Sequence, residues 1–158
     1  MGAKSVSRLE FTPASAGDAD ELLARGVRAA DWQECFKTTG HGLGPALRFS
    51  VAVSDLAVSA RHKGQLVALF GVAGGLVWLV GHEDLARDDL AVSIARGSLH
   101  FVDAWGREFA RLYNVVDPDN ALSLRWLAWL GFVIDRERPV RGPLGHELYS
   151  FWRESQCV

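Results

Sequence analysis

Residues 112–135, which read LYNVVDPDNALSLRWLAWLGFVID, have the clearest secondary-structure pattern in the chain. Residues 112–116 are mostly apolar or β-branched and predict a short strand. Asp117 and Pro118 then predict the start of a helix, because a carboxylate accepts hydrogen bonds from the free N–H groups of a first turn and proline has no N–H to leave unpaired there. The chain is therefore expected to pass from strand to helix within a few residues.

The helix that follows has an apolar stripe and a defined end. Its apolar side chains recur at helical spacing, at Leu122, Trp126, Leu127, Trp129 and Leu130. Gly131 predicts the helix end, since glycine adopts the left-handed conformation found there without steric cost. Residues 132–134 then predict a second strand, so the stretch is a β-α-β unit.

The N-terminal part predicts one strand followed by helices. Residues 6–12 alternate apolar and polar side chains, which is typical of a half-buried strand, and Pro13 is expected to end it. Ser15 and Asp18 have the spacing of a capping box and predict a first helix. Residues 32–36 predict a short second helix.

The middle of the chain predicts a loop, a third helix and a meander. The glycine-rich residues 38–45, TTGHGLGP, predict a mobile loop, and Pro45 then opens a short helix with Leu47 and Val51 facing inward. Residues 56–81 are β-type runs broken by turn residues, which predicts a three-stranded antiparallel meander.

The remaining segments complete the expected architecture. Residues 81–89 form a polar connection, and residues 89–109 predict a long helix that its two glycines weaken. After the β-α-β unit, residues 138–146 predict a Pro/Gly-rich loop and residues 147–152 a last strand. The order β, α, α, α, β, β, β, α, β, α, β, β predicts a single mixed α/β domain over residues 1–158.

Composition limits the class of protein. The chain has 158 residues and net charge −2, and its basic residues are scattered, so we expect one domain and no nucleic-acid partner. Cys35 and Cys157 match no metal-site spacing, which predicts inert thiols and no bound metal. No apolar run reaches the ~20 residues of a membrane span, and the first residues lack a signal-peptide core, which predicts a soluble, unsecreted protein.

The predicted order of elements resembles the GNAT fold of N-acetyltransferases. The likeness is sharpest in the β-α-β unit, because GNAT proteins commonly carry an Asn at the start of the penultimate helix and end that helix with Gly-Phe. Asn120 and Gly131-Phe132 stand at the matching separation. The resemblance implies the fold and a coenzyme A site that includes Asn120.

A narrower resemblance extends over almost the whole chain. Its segments are ALRFSVAVSDLAVSA, GQLVALFGVAGG, LVWLVGHEDL, LYNVVDPDN, SLRWLAWLGF and GPLGHELYSFW. Together they resemble the GNAT-like small internal virion (core) proteins of short-tailed phages. This resemblance implies a phage-encoded protein in the virion interior or the host bacterial cytoplasm, with other virion proteins or a host protein as partners.

The sequence departs from the GNAT pattern where the coenzyme A pyrophosphate would bind. GNAT enzymes hold it on main-chain N–H groups of the loop Arg/Gln-x-x-Gly-x-Gly/Ala, at the start of the central long helix. The matching residues 81–89, GHEDLARDD, have one glycine and four carboxylates. Two like charges ~4 Å apart repel by about 4 kcal/mol at a near-surface dielectric, so this loop is predicted to disfavour coenzyme A.

The sequence also departs from the family's pattern at the usual proton donor. The usual proton donor is a Tyr seven positions after the Asn, where this chain has Leu127. Tyr113 or Tyr149 can replace it only if the fold brings one of them to the cleft.

A general base has several candidates, each with a plainer interpretation. Glu83, Asp84, His82 and His100 can all accept a proton, but loop carboxylates more often solvate a helix N-terminus. The Asn120 amide can equally bond to nearby main chain.

Two functions fit these observations. We expect a non-catalytic GNAT-fold virion protein that binds no cofactor, acts as an interaction body in head or core assembly, and leaves an exposed apolar patch that includes tryptophans. The alternative is an acetyl-CoA-dependent N-acetyltransferase acting on a protein or small-molecule amine. Its site residues would be Glu83, Asp84, Tyr113 and Asn120. The alternative rests on fold analogy and on Asn120.

Overall fold

A computed structural model describes residues 8–155, so Cys157 and the start of the predicted first strand lie outside the described residues. The elements follow the predicted order: β1 (Leu9–Pro13), α1 (Ala16–Arg25), α2 (Ala29–Thr39), α3 (Leu43–Val53), β2 (Leu56–His62), β3 (Gln65–Ala73), β4 (Leu76–Gly81), α4 (Asp88–Glu108), β5 (Arg111–Val116), α5 (Ala121–Trp129), β6 (Val133–Arg141) and β7 (Glu147–Glu154). A short helical turn, Glu83–Ala86, joins β4 to α4. No helix in the described part is both long and apolar enough to span a membrane.

The seven strands form one mixed sheet in the order β1-β2-β3-β4-β5-β7-β6. The strands β1 to β4 are antiparallel, as are β5, β7 and β6, and the two halves meet where β4 and β5 run parallel. These two strands share one register pair, Leu76 with Tyr113, near their N-terminal ends. They diverge beyond it, which opens a cleft in the middle of the sheet.

Helices cover both faces of the sheet. The larger core packs α4 and α5 against one face and includes Ile94, Trp105 and Phe151. The smaller core packs α1 and α3 against the other face and includes Leu22 and Leu47. Gly97 is needed in α4, because a Cβ there would lie 2.1 Å from the Phe11 ring of β1.

The predicted mobile loop at residues 38–45 is wrong. α2 continues through Thr39 and α3 begins at Leu43, so only residues 40–42 connect the two helices. Gly40 makes this short turn possible with φ of 73°. Pro45 lies in the first turn of α3, where a missing N–H costs no intrahelical bond.

The predicted start of α5 is also wrong by three residues. The N-cap is Asn120, whose Oδ1 accepts the Ser123 N–H at 3.4 Å, and not Asp117. Asp117 closes a turn before the helix, since its Oδ1 accepts the Asp119 N–H at 3.0 Å. Trp129, which the sequence places in the apolar stripe, is 53% exposed.

The predicted loop at residues 138–146 is shorter than expected, because β6 continues through Pro139 to Arg141. Proline is tolerated there because β6 is an edge strand and its register with β7 shifts between Asp135 and Val140.

Candidate functional site at the diverging strands

Four charged residues at a spacing of three lie along one side of α2. They are Arg28, which caps the helix, Asp31, Glu34 and Lys37, and we call them the α2 ridge. A spacing of three in a helix of 3.6 residues per turn keeps neighbouring members on the same side. The ridge crosses the cleft where β4 and β5 diverge, so it replaces the strand pairing that is lost there.

The first half of the ridge holds the end of β4. Asp31 Oδ2 accepts the Gly81 N–H at 2.9 Å, and the Arg28 N–H donates to the Gly81 carbonyl oxygen at 2.9 Å. The Arg28 guanidinium pairs with Asp31 Oδ1 at 3.2 Å, and both residues are buried. Burial raises the pKa of Asp31, because loss of solvent outweighs the favourable charge of Arg28.

Asn120 joins the ridge to the start of α5. Its Oδ1 accepts a hydrogen bond from Arg28 Nη2 at 3.1 Å. Its Nδ2 donates to Asp31 Oδ1 and to Glu34 Oε1, at 3.4 Å each. Asn120 is 1% exposed, so its side chain is taken up by contacts inside the chain.

Asp117 is the second contact of the ridge on the β5 side. Lys37 Nζ lies 2.9 Å from its Oδ2 and 3.1 Å from its Oδ1, and the Asp117 N–H donates to Glu34 Oε1 at 2.9 Å. The Asp117 side chain is buried, whereas Asp119, which Lys37 also contacts, is largely exposed. These bonds fix the turn from which α5 begins.

Glu34 is the ridge residue that lines two cavities. The first, of about 300 Å³, lies under α2 and α3 and is also lined by Asp31, and the second, of about 90 Å³, lies between the diverging strands and α5. Burial raises the pKa of Glu34 to about 7, and the carboxylates of Asp31 and Asp117 add to the effect. A carboxyl group with this pKa can exchange a proton near neutral pH.

The smaller cavity is apolar on the side of α5. Leu127, at the position of the family's tyrosine, lines it together with Trp126 and Leu130. Among the described residues that line it, Glu34 is the ionisable one. Cys35 lines the larger cavity, and burial raises the pKa of its thiol, which keeps it protonated.

Most main-chain N–H groups in the connection between β4 and α4 donate hydrogen bonds within the chain. The N–H groups that donate within the chain are those of Gly81, His82, Asp84, Leu85 and Arg87. The Asp84 N–H donates to His82 Nδ1 at 3.0 Å, which closes the turn after β4.

The residues named for a catalytic site are spread over three places. Glu83 and Asp84 lie on the turn after β4, with Asp84 3.6 Å from Arg25. Asn120 lies inside the ridge network. Tyr113 lies near the other end of the cleft, in register with Leu76, and is 43% exposed. Two of the four therefore lie together.

The sequence interpretation missed the α2 ridge. The signal was present as charged residues at positions 28, 31, 34 and 37, but a charged helix face usually meets solvent. Asn120 and Asp117 lie 80 to 92 positions away from their ridge partners, so no local pattern connects them.

Solved structures of acetyltransferases have the same fold. The acetyltransferase of the GNAT family from Streptococcus pneumoniae matches with a TM-score of 0.60 at 18% identity, over 93% of this chain and 99% of its own. The ribosomal-protein-S18-alanine N-acetyltransferase from Escherichia coli gives 0.57 at 15% identity over 96% of each chain. Spermidine N-acetyltransferase from Vibrio cholerae, in complex with CoA and spermine, gives 0.63 at 10% identity over 94% and 96%.

These likenesses confirm the predicted GNAT fold, with its mixed seven-stranded sheet between helices. No protein-family model matches the chain, and no curated protein matches its sequence. The sequence identities are low, and one fold supports many functions, so these similarities show the fold and do not show the function.

Proposed function

We propose that the chain is a non-catalytic GNAT-fold protein of a phage particle, where it binds other proteins during head or core assembly. The main support for the absence of catalysis is that main-chain N–H groups between β4 and α4 already donate hydrogen bonds within the chain. A diphosphate at a helix N-terminus is held by such groups when they are free. Here the Gly81 N–H and carbonyl oxygen are both bonded to the α2 ridge.

The negative charge around the connection between β4 and α4 supports the same proposal. Asp88 occupies the first turn of α4, where its carboxylate already balances the positive end of the helix dipole. Glu83, five residues before Asp88, is exposed, and Asp84 is partly exposed. A diphosphate that approached this turn would meet these carboxylates, and Arg87 already pairs with Asp89 at 3.2 Å.

The size of the cleft gives further support. The cavity between the diverging strands and α5 measures about 90 Å³, and the cavity of about 300 Å³ that also borders both strands lies on the α2 and α3 side. Ligand pockets usually measure roughly 300 to 1,000 Å³. A pantetheine arm would therefore have to displace side chains such as Leu127 and Leu130, which pack there.

The coenzyme test is thermal unfolding with and without millimolar acetyl-CoA. We expect no change in Tm. A ligand at about a hundred times its Kd adds about 2.7 kcal/mol of stability, which raises the Tm of a domain of this size by several degrees. Such an increase, confirmed by calorimetric titration, would contradict the proposal.

The virion part of the proposal rests on the chain-wide sequence resemblance. Its test is quantitative mass spectrometry of purified particles of the encoding phage. We expect a fixed copy number per particle and protection from added protease until the capsid is opened. Absence from particles, with the chain present in infected cells, would contradict it.

An acetyl-CoA-dependent N-acetyltransferase is the second candidate, favoured by Glu34. Its carboxyl group lies between the two cavities with a pKa of about 7, which suits a base that accepts a proton from an ammonium group. This candidate predicts thiol release from acetyl-CoA in the presence of a protein or small-molecule amine, with loss of activity in Glu34→Gln. The first candidate predicts no release above the uncatalysed rate.

A further inference from the structure

A groove of about 450 Å³ lies between α4 and α5, and we call it the α4–α5 groove. Its α4 wall has residues 88, 91, 92, 95 and 96, and its α5 wall has residues 122, 125, 126 and 129. Spacings of three and four keep each set on one side of its helix. Each wall is therefore a continuous stripe of roughly 10 to 12 Å, or about two helical turns.

The surface of the α4–α5 groove is largely apolar. Trp126 lies at its base and is 9% exposed, whereas Val92 on one wall and Trp129 on the other are 51% and 53% exposed. Ala91 and Ala95 on the α4 wall have small side chains, which leave room for a partner to approach the helix closely. An exposed tryptophan beside a groove is typical of a protein contact surface, because tryptophan is among the residues that contribute most to binding.

Two arginines on the walls of the α4–α5 groove are exposed, Arg96 on α4 and Arg125 on α5. Within residues 8–155 neither of them forms an ion pair, whereas the nearby Arg87 pairs with Asp89 at 3.2 Å. The carboxylate among the lining residues is Asp88, which lies eight positions, or roughly 12 Å, along α4 from Arg96. The groove therefore offers two cations to a partner and has one anion at its end.

The shape and the charges of the α4–α5 groove indicate which partner fits. An amphipathic helix binds such a groove by laying its apolar side against the apolar walls. Carboxylates beside that apolar side would meet Arg96 and Arg125, and a guanidinium can pair with a carboxylate through two parallel hydrogen bonds. A basic helix would instead bring like charges together at both arginines. Charge complementarity therefore favours an acidic helix.

We propose that the α4–α5 groove binds an acidic amphipathic helix of another protein. Val92 and Trp129 contact the apolar side of the bound helix, and Arg96 and Arg125 pair with its carboxylates. The proposal rests on the proposed function, since it names the chemistry of the protein that the chain binds during assembly. It does not require coenzyme A.

The test is fluorescence anisotropy of the full chain with two labelled peptides of about 18 residues, or about five helical turns. The first peptide has leucines at helical spacing flanked by glutamates, and the second has lysine in place of each glutamate. We expect the lysine peptide to bind at least ~10-fold more weakly than the glutamate peptide. The difference should decrease as salt is added, because salt screens the exposed arginines.

Two pairs of matched variants locate the binding site. Trp129→Ser should weaken binding of the glutamate peptide at least ~10-fold, whereas Phe49→Ser, at a site on α3 that is 67% exposed, should not change it. Arg125→Glu should weaken binding to a similar degree, whereas Arg138→Glu on β6, where the side chain is 89% exposed, should not. Circular dichroism and thermal unfolding verify that all four variants are folded.

Several outcomes would overturn the proposal. They are no binding of the glutamate peptide at millimolar concentration, equal binding of the lysine peptide, and an affinity that Trp129→Ser leaves unchanged. Self-association that Trp129→Ser abolishes would assign the groove to a second copy of the chain. A shift of the Trp129 indole NMR signal with ATP, and none with the glutamate peptide, would assign it to a nucleotide.

The proposed function fails in different experiments. A rise in Tm with acetyl-CoA, or absence of the chain from phage particles, would contradict it and would leave the peptide affinities as measured. Failure of the peptides to bind would remove the helix groove alone, since the chain could still be packaged through another surface.

Discussion

The two sides of the cleft between β4 and β5 are built in opposite ways. On the α2 side, Arg28, Asp31 and Asn120 are buried and bond to one another. On the α4 side, Glu83 and Asp88 are exposed to solvent on a short turn and a helix end. Polar groups without solvent are costly to leave unpaired, so the α2 side contributes to stability. The carboxylates on the α4 side are solvated, so we expect them to have little effect on stability.

The largest expected effect comes from breaking the buried ion pair of the α2 ridge. Arg28→Met keeps the main-chain N–H but leaves the Asp31 carboxylate buried without its cation, which should lower the free energy of unfolding by about 3 to 5 kcal/mol. Urea denaturation measures the loss. Arg48→Met is the control, because Arg48 and Asp20 pair at an exposed site and the change should cost less than about 1 kcal/mol. If Arg28→Met lowers the free energy of unfolding by no more than Arg48→Met does, the ridge is not important for stability.

The pH dependence of Glu34 should give the next largest effect. The folded state holds the Glu34 proton up to about pH 7, whereas the unfolded state loses it near the ordinary value of 4.5. The folded state therefore binds more protons between these values, so stability falls as the pH rises through this window and is independent of Glu34 outside it. Glu34→Gln should flatten the curve and add up to about 3 kcal/mol above pH 7.

The control for this measurement is Glu137→Gln, at an exposed position on β6. We expect its stability to follow that of the wild-type chain from acidic to alkaline pH. A wild-type curve that stays level between pH 4.5 and about 7 would contradict the raised pKa of Glu34.

The smallest effect is expected on the α4 side of the cleft. Asp88→Asn removes a carboxylate that favours the positive end of the helix dipole, which should lower stability by about 0.3 to 1 kcal/mol. Glu108→Gln, at the opposite end of the same helix, should raise it by a few tenths of a kcal/mol for the reverse reason. Thermal unfolding at low salt measures both. Changes of the same sign would indicate that dipole interactions do not govern this side.

The sequence predicted most of the fold and little of the candidate site. The meander was predicted from its turn residues, and Gly131 was predicted to end α5, where it has φ of 85°. The start of α5 was predicted at Asp117 because the local pattern suits either Asp117 or Asn120 as a cap. Lys37 decides between them, since its ion pair holds Asp117 in the preceding turn.

The order of strands and helices was therefore determined by the sequence itself, through local patterns of apolar spacing, turn residues and caps. The tertiary structure alone decided that a charged side of α2 lies over the cleft, that Glu34 keeps its proton to about pH 7, and that Val92 and Trp129 line one groove. The physical reason is distance along the chain. Burial and pairing of these groups depend on residues dozens of positions away, which no local pattern records.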